Sequence, residues 1–299
     1  MNIRKPIVAG QFYPDSKAST LAALDEYLSV NIAINELPEK ILGGIVPHAG
    51  WVCSGAVAGK VFKAIQMRRQ VDTFVLFGAV HRFGVRNAAV YSTGAWETPL
   101  GQVAIDERLA SQILIESNLL KTETNAHQAE HSIEVQVPFI QRLFPQARIL
   151  PILVPPTPCA GEVGAAVASI IKKSGANAVC IGSSDLTHYG PSYRFTPEGI
   201  GSAGIRWAKE INDRGLLDLI GKMNPQAVLE YAVTTQSACG SGAIAATIAA
   251  AKELGADTVK LLEHTTSHEV LRGRYGDQGT DSVGYAGIVF GIETLGQHR

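Results

Sequence analysis

Short runs rich in isoleucine and valine recur along the chain at 41–46, 73–78, 88–92, 148–154, 178–183, 258–263 and 282–291. Between them, apolar residues return at spacings of three and four over 16–29, 55–67, 106–117, 130–144, 161–173, 202–223, 225–234 and 241–254. Strand-length runs alternating with amphipathic helices leave few ways to bury every apolar face. The solution they favour is an α/β fold with a central mixed or mostly parallel sheet and helices on both sides. Ends of the helical stretches carry matching chemistry: Asp106 stands where an N-cap is needed, Pro225 at a first helical turn, and Gly255 just past a last one. The Pro-rich PILVPPTP at 151–158 begins as an apolar strand and reads as its exit, not as a hinge. With no linker, repeat or low-complexity tract, residues 1–299 are expected to form one large domain.

Charge and cysteine usage remove several function classes. Lysine and arginine number 26 against 27 acids, a formal net charge of −1, so the chain has no field with which to collect nucleic acid or an anionic membrane surface. Four cysteines without a CxxC pair make no disulfide framework and point to a reducing cytoplasm. The opening MNIRKPIVAGQFYPDS meets glycine, glutamine and proline before any signal-like apolar run, and no stretch approaches the ~18 apolar residues of a membrane helix. The expectation is a cytoplasmic protein with neither nucleic acid nor membrane as partner.

Three apolar runs end in residues that can do chemistry. ILGGIVPHAG delivers His48, FVLFGAVH delivers His81, and AVCIGSSDLTH delivers Asp185 and His188. Ligands in open α/β sheets bind beyond the carboxyl ends of strands, so adjacent strands would bring these imidazoles to one crevice, where imidazole is a common ligand for zinc, copper and iron. One histidine after a strand is ordinarily a surface or capping group; the three together point to metal. In AEHSIEVQVPF, Glu130, His131 and Glu134 open an expected helix. There His131 and Glu134 would share a face, with Glu134 holding the outer ring nitrogen of His131, while Pro138 would kink the helix or delay its start. Acids placed for the helix dipole are the plainer reading of that stretch. In QSACGSGAIAATIAA, Cys239 sits before a helix, a position that favours thiolate. Cys180 lies inside an apolar run and Cys159 follows a proline; Cys53, five residues after His48, could face the same crevice, with packing the plainer reading. GSGAIAA lacks the spacing of a phosphate-binding turn, and no GxSxG elbow occurs. Asp277 and Asp281 read as turn acids before the last strand.

Taken in order, PHAGW, the His81 exit, EHSIE, SSDLTH, SACGSGAI and SVGYAG, with Gly10, Phe12 and Tyr13 of the opening RKPIVAGQFYPDS, resemble the Memo family, whose prokaryotic members are also called AmmeMemoRadiSam system protein B. The resemblance spans essentially the whole chain. It implies a fold similar to the class III extradiol dioxygenases, which open catechol rings at a non-haem Fe(II) held by two histidines and a glutamate. Carried across, the metal ligands would be His48 and His81, with Cys239 where those enzymes keep glutamate. His188 would fall at their acid/base histidine, Asp185 would line the same pocket, and His131 would be a further pocket histidine. A thiolate is softer and more oxidisable than a carboxylate, so such a site suits iron, with copper or zinc as alternatives. Two readings follow. One is a metal-dependent, dioxygenase-like oxidoreductase acting on a small-molecule substrate; the other is a peptide-binding or metal-handling protein with a vestigial pocket. The family name further implies functional association with AMMECR-type and radical SAM proteins.

Overall fold

Each of the seven apolar runs becomes a strand of one mixed sheet. The computed structural model describes residues 2–82, 84–276 and 279–293. In chain order its elements are β1 (Ile3–Arg4), α1 (Lys17–Leu28), β2 (Lys40–Val46), α2 (Trp51–Arg68), β3 (Thr73–Gly78), β4 (Ala88–Val90), β5 (Ala95–Thr98), β6 (Gly101–Ala104), α3 (Glu107–Glu116), β7 (Leu120–Thr122), α4 (Val137–Leu143) and β8 (Arg148–Leu153). There follow α5 (Ala160–Ser174), β9 (Ala178–Ser183), β10 (His188–Tyr189), α6 (Ser202–Trp207), α7 (Arg214–Gly221), α8 (Pro225–Thr235), α9 (Ser241–Glu253), β11 (Thr258–Thr266), α10 (Ser267–Tyr275) and β12 (Ser282–Ile292).

The large sheet runs β10-β12-β2-β9-β3-β8-β4-β7, with β11 also paired to β12. Its centre, β2, β9, β3 and β8, is parallel, and antiparallel pairs close it toward both edges. Those central strands are buried almost end to end, which is why they read as continuous apolar runs and not as alternating ones. Successive residues of β2 point to opposite faces: a Cβ on Gly43 would meet Ala251 of α9, and one on Gly44 would meet Val61 of α2. Helices therefore cover both sides, as the fold class requires. On the α9 side the helices approach closely, since a Cβ on Gly164 of α5 would lie 1.9 Å from the carbonyl oxygen of Ala246. The expected helix starts form: the Asp106 carboxylate accepts from Leu109 N at 3.0 Å, and Pro225 sits in the first turn of α8, where Asn224 Oδ1 also accepts from Ala227 N at 3.1 Å. No described helix is long and apolar enough to cross a membrane.

The structure departs from these expectations in four places. α2 begins at Trp51, four residues before the expected 55, because the backbone N–H of Trp51 donates to the carbonyl of Phe12 at 2.8 Å; its cap comes from far away in the sequence. The expected helix 130–144 is helical only over Val137–Leu143, after a 3-10 turn Glu134–Gln136, with Pro138 in its first turn. The expected helix 202–223 is interrupted by a π-helical stretch, Ala208–Asp213. The three-stranded sheet β1-β5-β6 and the helix α10 were not expected at all. α10 starts with a complete capping box between Thr266 and Glu269.

Candidate metal centre

β2, β9 and β3 are neighbours and parallel, so their carboxyl ends open on the same edge of the sheet. Beyond those ends stand His48, Asp185 and His81. Cys239 reaches them from the turn before α9. That turn must approach the β9 exit, and Gly240 allows it: a Cβ there would lie 2.6 Å from the carbonyl of Ser183 and 2.8 Å from Ser184 Cβ. Gly240 N also donates to Ser184 Oγ at 2.9 Å, fixing the turn.

One ligand-type atom from each of His48, His81 and Cys239 lies within 4.8 Å of the others. Hydrogen bonds set the ring tautomers. Ser183 Oγ donates its single proton to the carbonyl of Ser132 at 2.7 Å and accepts from Gln136 Nε2 at 3.1 Å. Toward His48 Nδ1, 3.2 Å away, it can only accept. His48 therefore carries its proton on Nδ1 and presents a bare Nε2, which lies 3.2 Å from Cys239 Sγ. His81 is held the same way. Its Nδ1 lies 2.9 and 3.1 Å from the two oxygens of the Glu130 carboxylate, which also accepts from His81 N at 3.0 Å. An acceptor-only carboxylate fixes the proton on Nδ1 and frees Nε2. Two imidazoles with tied outer nitrogens beside a thiol are a donor set whose chemistry suits a soft or borderline cation.

Titration behaviour favours ligation at His48 and opposes it at His81 and Cys239, where a bound cation would have to displace a proton. Burial, reinforced by the neighbouring imidazoles of His81 and His131, holds His48 well below its ordinary value, so it stays in the neutral ligating form. Burial would lower His81 too, but the hydrogen bond and charge of Glu130 outweigh it and raise the ring. For Glu130, burial pushes upward and the His81 contacts overcome it, holding the carboxyl well below the usual range. The thiol of Cys239 moves against expectation: burial and then the Asp185 carboxylate push it upward, so the helix start does not make it a thiolate. Only a cation beside the sulfur would do that.

The remaining sequence candidates divide. His131 joins the cluster, its ring stacked on His81 with centroids 4.7 Å apart and edge-on to His48 at 5.4 Å. Its expected support from Glu134 does not form. Residues 130–133 are not helical, so the shared face is lost; Glu130 Oε1 is the carboxylate oxygen near His131 Nδ1, at 3.7 Å, and Glu134 binds elsewhere. Asp185 is buried and accepts from the backbone N–H groups of His48 at 2.7 Å and Ala49 at 3.2 Å. Its other oxygen stands 3.9 Å from His188 Nε2, beyond hydrogen-bond distance. Asp185, His188 and Cys239 also bring ligand-type atoms within 4.8 Å of one another. Cys53 packs against Val57, Val283 and Tyr285, Cys180 is buried in β9, and Cys159 is exposed. Asp281 accepts from the hydroxyl and backbone N–H of Ser192, as a turn acid would. Asp277 lies outside the described residues.

Sequence reasoning gave no site role to Glu130, Ser183, Gln136 or Asp213. Asp213, on the π-helical stretch, accepts from Thr187 N at 3.0 Å and bonds His264 Nε2 at 3.1 Å, bracing the segment between Asp185 and His188. The adjacency of Glu130 to His131 was the available signal for the first; nothing in the sequence marks Asp213. Beside Cys239 and His188 lies a cavity of about 370 Å³ walled by Leu186, Tyr193, Phe195 and Val233, with no lysine or arginine among its lining residues.

His127, three residues before Glu130 at the end of a 3-10 turn, is fully buried, with its Nε2 donating to the carbonyl of Ala89 at 3.0 Å. Burial lowers it from 6.5 to about 3. The unfolded chain then binds the extra proton between those values, so stability is whole above pH 6.5 and falls as pH drops toward 3. At pH 5 the loss is about 2 kcal/mol. Urea unfolding of wild type and His127→Gln is expected to give curves that converge by that amount between pH 7 and 5; parallel curves would remove His127 as the cause.

The profile of a family described as Memo-like protein matches residues 4–289. A MEMO1 family protein of Pyrobaculum arsenaticum is 36% identical over 298 residues, covering 97% of this chain and 99% of its own. Another, of Thermococcus onnurineus, is 34% identical over 304 residues, covering 96% and 99%. Among solved structures, an uncharacterized protein from Escherichia coli K12 matches with TM-score 0.51 at 12% identity, over 82% of this chain and 99% of that one. At that identity the likeness concerns the fold alone.

Proposed function

The chain belongs to the Memo family, and on that premise we propose that it is a metal-dependent redox enzyme whose ion, iron before copper or zinc, is held by His48, His81 and Cys239. The observation that carries the reading is the pair of imidazoles with Nδ1 fixed by Ser183 and Glu130 and Nε2 left free beside a thiol. A redox-active ion there supplies electron transfer to a bound small molecule or dioxygen. The chain's own residues supply the rest. His188, lowered by burial although Asp185 opposes that shift, stays largely neutral near pH 7 and can accept a proton from substrate. Asp185 holds the His48 backbone in place, and His131 closes the crevice beside both histidines.

The cavity next to Cys239 favours an uncharged, mainly apolar small substrate over a phosphorylated peptide, because no lysine or arginine among the described residues lines it to receive a phosphate. Oxygen consumption by the anaerobically Fe(II)-reconstituted protein with a panel of phenols and thiols tests the reading. His188→Gln is expected to keep the metal and slow turnover by about 10²- to 10⁴-fold. Absence of uptake across the panel, together with a stable complex with a peptide or protein partner, would favour the non-catalytic alternative.

A further inference from the structure

Residues 3–13 contribute no ligand, yet they touch the segments that carry His48 and His131 and, through Glu130, reach the group that holds His81. Arg4, fully buried in β1, donates from Nε to the carbonyl of His127 at 2.8 Å and from Nη2 to the carbonyl of Glu130 at 2.7 Å. Its Nη1 pairs with Glu134 Oε2 at 2.7 Å, and its guanidinium lies 4.2 Å over the Trp96 ring. The Glu134 carboxylate also takes the N–H groups of Ile7 and Val8 and the hydroxyl of Tyr13. Phe12 then reaches two further places: its carbonyl accepts from Trp51 N just after His48, and its ring packs edge-on against His131 with centroids 4.8 Å apart. The residue whose carbonyl Arg4 holds, Glu130, is the one whose carboxylate grips His81.

We infer that this N-terminal segment is a clasp that positions the histidine cluster, with Arg4 as a positioning residue acting on His81 through Glu130. Arg4 touches neither imidazole. It fixes the backbone from His127, the end of a 3-10 turn, to Glu130, so that the Glu130 carboxylate meets both Nδ1 and the backbone N–H of His81. Three acceptors in different directions require the planar fork of a guanidinium; an ammonium of the same charge has no such fixed geometry. The metal readout below rests on the ligand set proposed above, while the His81 readout does not.

Arg4→Lys in the full chain keeps Glu134 compensated and removes the fork. In metal-free protein, at a pH high enough to leave the imidazoles neutral, nitrogen-detected NMR is expected to report His81 as the Nδ1–H tautomer in wild type and as a mixture in the variant. Affinity for Zn²⁺ alone is expected to fall by about 10- to 100-fold. Lys5→Ala, which removes an exposed pair with Glu97 on the same segment, is expected to change neither. A wild-type tautomer and Zn²⁺ affinity in Arg4→Lys would overturn the inference. If wild type itself takes up no Zn²⁺, the ligand set fails and the tautomer still decides the role of Arg4. Should Arg4→Lys not fold, Phe12→Leu carries the test: shifted His131 ring signals and weaker Zn²⁺ binding are expected, and wild-type values for both would overturn the clasp.

Discussion

Alanine in place of Cys239 is expected to leave a folded protein that retains no tightly bound metal. The polar partners of the sulfur are His48 Nε2 at 3.2 Å, the carbonyl of Asp185 at 3.7 Å and Ser184 Oγ at 4.0 Å, none of which depends on it to hold the fold. The turn itself is fixed by the backbone of Cys239 and Gly240, which alanine preserves. What is lost is the donor of the set that becomes anionic on binding, so the affinity loss should exceed the ~10- to 100-fold typical of changes to supporting residues. His48→Ala should give the same outcome through the other side of the contact. Elemental analysis of anaerobically purified wild type and both variants decides the matter, with thermal unfolding to verify the fold. One equivalent of tightly held metal in both variants would dispose of the ligand assignment. Cys239→Ser separates donor softness from occupancy: a hydroxyl in the same place should lose copper before zinc.

Why this site could be read from residues at all is a matter of topology. His48, His81 and Asp185 follow strands buried on both faces, so the sequence shows an unbroken apolar run and then a polar residue, and parallel neighbours carry those residues to one edge. Cys239 stood out through the small residues that let its turn reach β9. Glu130 was passed over because EHSIE offers two acids, and a helix from 130 would place Glu134, not Glu130, beside His131. Pro138 belongs in a first helical turn, so the helix starts late and the choice between the acids reverses. The early start of α2 was illegible for a different reason: the group that caps it, the carbonyl of Phe12, belongs to a distant segment. Likewise β1, β5 and β6 are two to four residues long, below the length at which alternation becomes a signal, and β1 finds its partner β5 some ninety residues along the chain.

The acid that sequence reasoning gave to His131 has a structural role of its own, and Glu134→Ala is expected to destabilise the protein by about 3–5 kcal/mol. Glu134 is 1% exposed and receives four donors: Arg4 Nη1 at 2.7 Å, Ile7 N at 2.9 Å, and Val8 N and Tyr13 Oη at 3.0 Å. Alanine would leave a guanidinium that is itself fully buried without its counter-charge, and three further donors short of their acceptor. Removing one partner costs far more than the pair contributes, because the survivor keeps its desolvation penalty. Glu134→Gln should cost less, since the amide oxygen can still accept from the backbone while the charge is lost. The exposed pair of Lys5 and Glu97 provides the contrast: Glu97→Ala should leave the urea midpoint unchanged. Equilibrium urea unfolding at pH 7, with an unchanged slope, reads the difference. A midpoint for Glu134→Ala equal to that of Glu97→Ala would mean that the Arg4 charge finds another partner, and that the N-terminal segment is held by its apolar contacts instead of by this carboxylate.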